Sequence, residues 1–138
     1  MKILSVLIFG CLVCVANAKD EFLKLSIADA LNSDLAKEKL SKDIKFYFGS
    51  GAKASIVRKG LVSNKKANAV GKDKVVACQR AFISALISFE KTARDESGRK
   101  VVNLVSYFKK NTFDSKKEFE CAVGNIMVGV ALKGDIAK

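Results

Sequence analysis

The chain has 138 residues, with 25 Lys and Arg against 14 Asp and Glu, a formal net charge of +11, and neither histidine nor proline. Without histidine there is no Ser-His-Asp or Cys-His catalysis, no HExxH zinc site and no His-based acid–base chemistry. The positive charge favours anionic partners such as lipopolysaccharide, acidic lipid headgroups, nucleic acid or acidic proteins, and says nothing of the fold.

Residues 1–18 have the layout of a secretory signal peptide: Lys2, an apolar run over 3–15, then Ala16-Asn17-Ala18 as small residues at a cleavage point. The run is too short to span a bilayer. Cleavage is expected after Ala18, which removes Cys11 and Cys14. A lipoprotein reading at Cys11 is the alternative, and the bulky Phe9 before it argues against that. The remaining chain, 19–138, suits one domain that is periplasmic or secreted, with no transmembrane segment.

Residues 19–43 predict polar-rich helix. Ser26 is a candidate N-cap with Asp29 three residues on, and Asn32-Ser33 breaks the run into two short helices. "KFYFGSG" at 45–51 predicts a strand running into a glycine turn, and 54–64 a second strand. A basic loop or irregular strand continuation follows to residue 73. From Asp73, a candidate N-cap, a long helix is predicted. Val75, Cys78, Phe82, Leu86, Phe89 and Ala93 form its apolar stripe, widened by Ile83 and Ile87, and Gly98 is a candidate C′ residue.

"VVNLVSYFKK" at 101–110 is rich in β-formers and apolar on both faces, so it predicts a central strand; "NTFDSKK" predicts a loop. In the last segment Phe119, Cys121 and Val123 share one face, and after Gly124-Asn125 the parity flips to Ile126, Val128, Val130 and Leu132. The flip requires a bulge or a turn. One long bent strand is the preferred reading and a hairpin the alternative. The order predicts an α+β fold: a small, mostly antiparallel sheet with one long helix packed on one face, preceded by short N-terminal helices.

Once the leader is removed, Cys78 and Cys121 remain, both on apolar faces. In an exported protein such a pair points to a disulfide. Closing a loop of about 43 residues is worth roughly 4 kcal/mol in the chain-entropy model. Two unlinked core thiols, or a thiol redox or metal role at Cys78/Cys121, are the alternatives. "GSGAKAS" at 49–55 and "VGKDK" at 70–74 lack the spacing of a phosphate loop and read as turns. The basic stretches are Arg58, Lys59, Lys65, Lys66, Lys72 and Lys74, and then Lys109, Lys110, Lys116 and Lys117 with Tyr107, Phe108 and Phe113 interleaved.

At "IADALNS", "IKFYFG", "NAVGKDKVVACQRAFISALISF", "VVNLVSYFKKN" and "EFECAVGNIMVGVALKGD" the chain resembles a family of small exported proteobacterial proteins often labelled as an excinuclease ATPase subunit. The residues do not carry that label, since there is no Walker loop, no zinc-finger cysteine set and too little length. The resemblance implies an exported protein without an assigned activity. The helix followed by "VVNLVSYF" and the final "AVGNIMVGVAL" is also similar to the small α+β domain of YbjQ-like proteins and to the disulfide-bearing envelope-stress sensor lipoprotein of the Rcs system. That similarity implies the fold and the bridge, not a function.

The sequence therefore predicts an exported, non-enzymatic, envelope-associated binding or interaction protein, with no cofactor. The residues leave the partner open: an anionic envelope component or an acidic protein is one reading, nucleic acid a less favoured one, and solubility alone also accounts for the charge. The alternative is a binder of anionic polymers through Arg58, Lys59, Lys65, Lys66, Lys72, Lys109, Lys110, Lys116 and Lys117.

Overall fold

The computed structural model describes residues 21–138; the leader, Cys11, Cys14 and the cleavage point after Ala18 lie outside the described residues. β1 (Glu21–Ser26) stands where the sequence predicts helix. Its period is two: Leu23 and Leu25 lie opposite Cys121 and Phe119 of β6 (Glu118–Val123), while Phe22 and Lys24 take the other face. Two short helices follow, α1 (Ile27–Leu31) and α2 (Asp34–Lys39), with the expected break between them. Ser26 Oγ accepts from the Asp29 N–H at 3.1 Å, and Ser33 Oγ from the Ala36 N–H at 3.2 Å, so each helix starts on a serine cap.

β2 (Lys45–Phe48) and β3 (Ile56–Asn68) are joined through the Gly-Ser-Gly turn but do not pair with each other. β2 runs parallel to β4 (Lys100–Phe108). β3 runs antiparallel to β7 (Met127–Ala137). It continues to Asn68, so Lys65 and Lys66 belong to the strand rather than to a loop. The expected loop at 111–117 contains a short strand, β5 (Asn111–Phe113), that pairs back onto β4.

The segment 118–133 is a hairpin and not one bent strand. Val123 pairs with Val128, the Gly124 N–H donates to the Met127 carbonyl at 2.9 Å, and Asn125-Ile126 form the tip. The parity flip marks the point where the chain reverses. β7 thereby becomes the centre of a seven-stranded sheet. One edge of β7 pairs with β3, and the other is shared by β6 at its start and β4 at its end. Every pairing is antiparallel except β2 with β4. Among the described residues no helix is long and apolar enough to cross a membrane.

The long helix α3 (Lys74–Asp95) lies over β7, β3, β4 and β6. Asp73 caps it, accepting from the Val76 N–H at 3.1 Å. Cys78, Phe82, Leu86, Phe89 and Ala93 are buried as predicted, as are Ala77, Ala81 and Ala85, whose small side chains let the helix settle close to the sheet. Val75 and Ile87, assigned to the same stripe, are exposed. Against the helix β7 sets Val128, Val130, Leu132 and Ile136.

The helix ends one residue earlier than the sequence predicts. Ser97, at φ 56°, holds the left-handed position, and the Gly98 N–H donates to the Ala93 carbonyl at 2.7 Å. Gly98 is needed for a different reason: a Cβ there would lie 2.4 Å from Ile136 Cγ2 and 3.1 Å from the Ala137 carbonyl oxygen. Gly98→Ala is expected to lower stability by about 1–3 kcal/mol through overpacking, read by chemical denaturation. A neutral substitution would mean that the chain does not require this close approach.

Candidate functional site

Three features carry the chemistry: the paired cysteines, a buried carboxylate, and the distribution of basic side chains. Cys78, in the first turns of α3, and Cys121, on β6, form a disulfide with Cα atoms 6.0 Å apart. Both residues are 0 % exposed. The bridge lies beside an aromatic stack: Phe82, one turn after Cys78, meets Phe119, two residues before Cys121, with ring centroids 4.1 Å apart. Phe48 of β2 adds a third ring 5.8 Å from Phe82. Sulfurs on residues with no exposed surface are out of reach of a thiol substrate unless the helix lifts from the sheet. Among the described residues no group of three or more Cys, Asp or Glu side chains is placed to hold a metal ion.

Glu90 is the one charged residue of α3 buried in the core, at 2 % exposure. Its two oxygens accept from the Ser41 N–H, at 3.0 and 3.3 Å, and one also meets Arg94 Nη2 at 3.2 Å. Arg94 also reaches Asp43 at 3.4 Å. This network ties the segment after α2 to the helix. Burial pushes the Glu90 carboxyl above its ordinary value of 4.5, against the opposing pull of the Ser41 N–H and Arg94. An open cleft of about 460 Å³ lies next to it, lined by Asp43, Ile44, Arg94, Ser97, Gly98 and Arg99. The Arg94 guanidinium is already engaged by two carboxylates, and the cleft sits at the carbonyl end of α3, where the helix dipole disfavours anions.

All nine basic residues singled out by the sequence are exposed. Arg58 is ion-paired with Glu96. Lys59, Lys65, Lys66, Lys72, Lys109, Lys110, Lys116 and Lys117 have no acidic partner within ion-pair distance among the described residues. The two stretches do not merge, because Arg58, Lys59, Lys65 and Lys66 follow β3 on one side of β7, while the β4–β5 hairpin lies on the other. The second stretch also divides. Lys109 and Lys110 form the hairpin tip. Lys116 lies over Gly49, where a Cβ would come 2.7 Å from Lys116 Cγ, and nearby Asp114 holds the Ser50 backbone N–H at 3.0 Å and its hydroxyl.

Lys74, noted with the first stretch, is structural: its Nζ donates to the Gly124 carbonyl at 2.9 Å, joining the start of α3 to the β6–β7 turn. Two cations escaped the sequence reading. Lys24 Nζ sits 4.5 Å above the Phe113 ring, and Lys133 Nζ 4.7 Å above the Tyr107 ring. Each is a lone lysine in an apolar strand, and a search for runs of charge passes over it. Only period-two alternation, which sets both facing away from α3, marks them.

No protein-family model, curated protein or solved structure matches the chain.

Two measurements check the chemistry. Replacing both cysteines (Cys78→Ala with Cys121→Ala) is expected to lower unfolding free energy by about 4 kcal/mol, since the loop released spans 43 residues; a loss below about 1 kcal/mol would contradict a stapling role. For Glu90, a folded-state pKa raised above 4.5 means that its contribution to stability is present below that value and fades as pH rises through the folded pKa. The stability of the wild type relative to Glu90→Gln should therefore grow as pH falls through the range just above 4.5. Thermal melts across pH showing the opposite trend would refute this assignment.

Proposed function

We propose that the chain is an exported, non-enzymatic binding module of the cell envelope whose partner is anionic. One observation carries the reading: eight exposed lysines in two regions have no acid among the described residues to neutralise them, so their field is available to a partner. Export is supported by the leader-like first 18 residues, by the disulfide, which persists outside the reducing cytoplasm, and by the resemblance to exported proteins. A redox role at Cys78/Cys121 is disfavoured by the burial of both sulfurs.

The two regions need not act alike. Among the described residues β3 pairs only with β7, which leaves its second edge without a strand, and over Leu61–Asn68 the register is uninterrupted. Lysines along an open edge also deter strand-to-strand association. Lys59, Lys65 and Lys66 on β3 fit that protective role, which leaves the β4–β5 side as the better candidate for contact.

Binding to a soluble acidic polymer, such as heparin, tests the reading. Affinity should fall steeply with salt, by nearly one log unit per log of salt for each anionic group neutralised. An interaction that is absent, or that ignores salt between 50 and 200 mM, would remove an electrostatic partner.

A further inference from the structure

We infer that the sheet face turned away from α3, at the corner where the β4–β5 hairpin packs on β1, is a docking surface for an anionic lipid bilayer. This rests on the reading of the chain as an exported binder of anionic partners and gives it a place and a ligand.

Three observations converge on that corner. First, the face is both apolar and cationic. Phe22, 47 % exposed, meets Phe108 edge-on with ring centroids 5.1 Å apart. Val62, 49 % exposed, lies opposite Lys133, which lies opposite Val105, giving one row across β3, β7 and β4. Lys133 stands over Tyr107 on this face, and Lys66 pairs across to Gly129. Phe108 and Phe113 lie on the other side of the hairpin from Tyr107, and with that side the hairpin packs over Phe22 and Lys24 of β1. The acids on this face are fewer. Asp135 is already engaged, accepting from the Gly60 N–H at 2.8 Å and from Asn103 Nδ2 at 2.9 Å; Glu120 stands opposite Lys24 in register, and the exposed Glu118 lies on the same side of β6, opposite Ser26.

Second, the hairpin tip holds two lysines in an unfavourable backbone conformation. Lys109 and Lys110 have φ of 48° and 64°, both left-handed, in a two-residue turn between Phe108 and Asn111. Turns of this form favour Asn-Gly, which carries the conformation with little strain. Folding alone gives no reason for Lys-Lys here, whereas presenting two ammonium groups at the end of a projecting hairpin does.

Third, the aromatic rings suit a bilayer better than a nucleic acid. Stacking of bases needs open ring faces. Phe22 and Phe108 are turned edge-to-face on each other, and an ammonium covers one face each of Phe113 and Tyr107. A bilayer interface asks for apolar groups that enter the headgroup boundary and lysines that meet phosphates, and the corner supplies both.

The test is partitioning of the exported full-length protein onto sedimented vesicles of phosphatidylglycerol or of phosphatidylcholine, with heparin and single-stranded DNA measured separately. Binding is expected to phosphatidylglycerol and not to phosphatidylcholine. Lys109→Asn with Lys110→Gly should weaken it about 30-fold, at the scale expected for two lysines near an anionic surface. The same variant should melt about 3–8 °C higher, because the turn is relieved. Lys65→Gln with Lys72→Gln removes equal charge elsewhere and should change partitioning less than about threefold. If both variants lose binding equally, the corner is not the site and the broader anionic reading stands. Binding to heparin or DNA without vesicle binding overturns the lipid surface alone. If no anionic partner binds, both readings fall. A hairpin variant that melts lower would remove the argument from backbone conformation.

Discussion

The fold depends on β7 being hydrogen-bonded along both edges while staying thin enough for its neighbours to close on it. It is the last strand in the chain, yet β3, β6 and β4 all assemble on it. Its inner face holds Val128, Val130, Leu132 and Ile136 under α3. Where the sheet is tightest, glycine replaces bulk: a Cβ at Gly134 would approach Leu104 Cδ2 to 2.8 Å. Asp135 then fastens β3 and β4 to the strand between them, through the Gly60 N–H and Asn103. Asn103, at φ 56°, sits in the bulge of β4, a conformation that asparagine tolerates better than most residues. Its side-chain oxygen accepts from the Ala52 N–H at 2.9 Å, so the bulge also anchors the turn after β2.

The disulfide acts on this frame from the other side. β6 contacts β7 only through two register pairs before diverging toward β1. Beyond that point the ribbon meets the rest of the sheet through side chains: the Ser106 hydroxyl accepts from the Glu120 N–H at 2.9 Å, and Phe22 packs on Phe108. The Cys78–Cys121 bond, the Phe82–Phe119 stack and the Lys74 contact to the Gly124 carbonyl all hold that ribbon to α3. The staple is placed where backbone pairing is weakest.

Much of this was legible in the residues, and the gaps have physical causes. Helix α3, its Asp73 cap, the short helices and the cysteine pair follow from period, capping chemistry and the placement of both cysteines on apolar faces. β1 was missed because six alternating residues run directly into the Ser26 cap, so helical patterning drew the boundary too early. The hairpin at 124–127 was visible as a parity flip, but parity alone cannot separate a bulge from a reversal. Gly98 looked like a helix terminator, while its actual constraint is the Ile136 methyl 38 residues on, which no local pattern encodes. Of the candidate contact surface, the run of charge at Lys109–Lys110 was legible; Lys24, Lys133 and Phe22 were not, because strands far apart in the chain bring them together.

The open side of β3 has a further implication for how the protein behaves in solution. Among the described residues no strand pairs along it, and Lys59, Lys65 and Lys66, if they ward off a neighbouring strand, do so only while their field extends beyond the backbone. The screening length shrinks from about 30 Å at 0.01 M salt to about 3 Å at 1 M. Colloidal stability therefore varies with the medium: dilute buffer keeps molecules apart, and brine, or a dense coat of acidic polymer, leaves bare an edge ready to template its own kind.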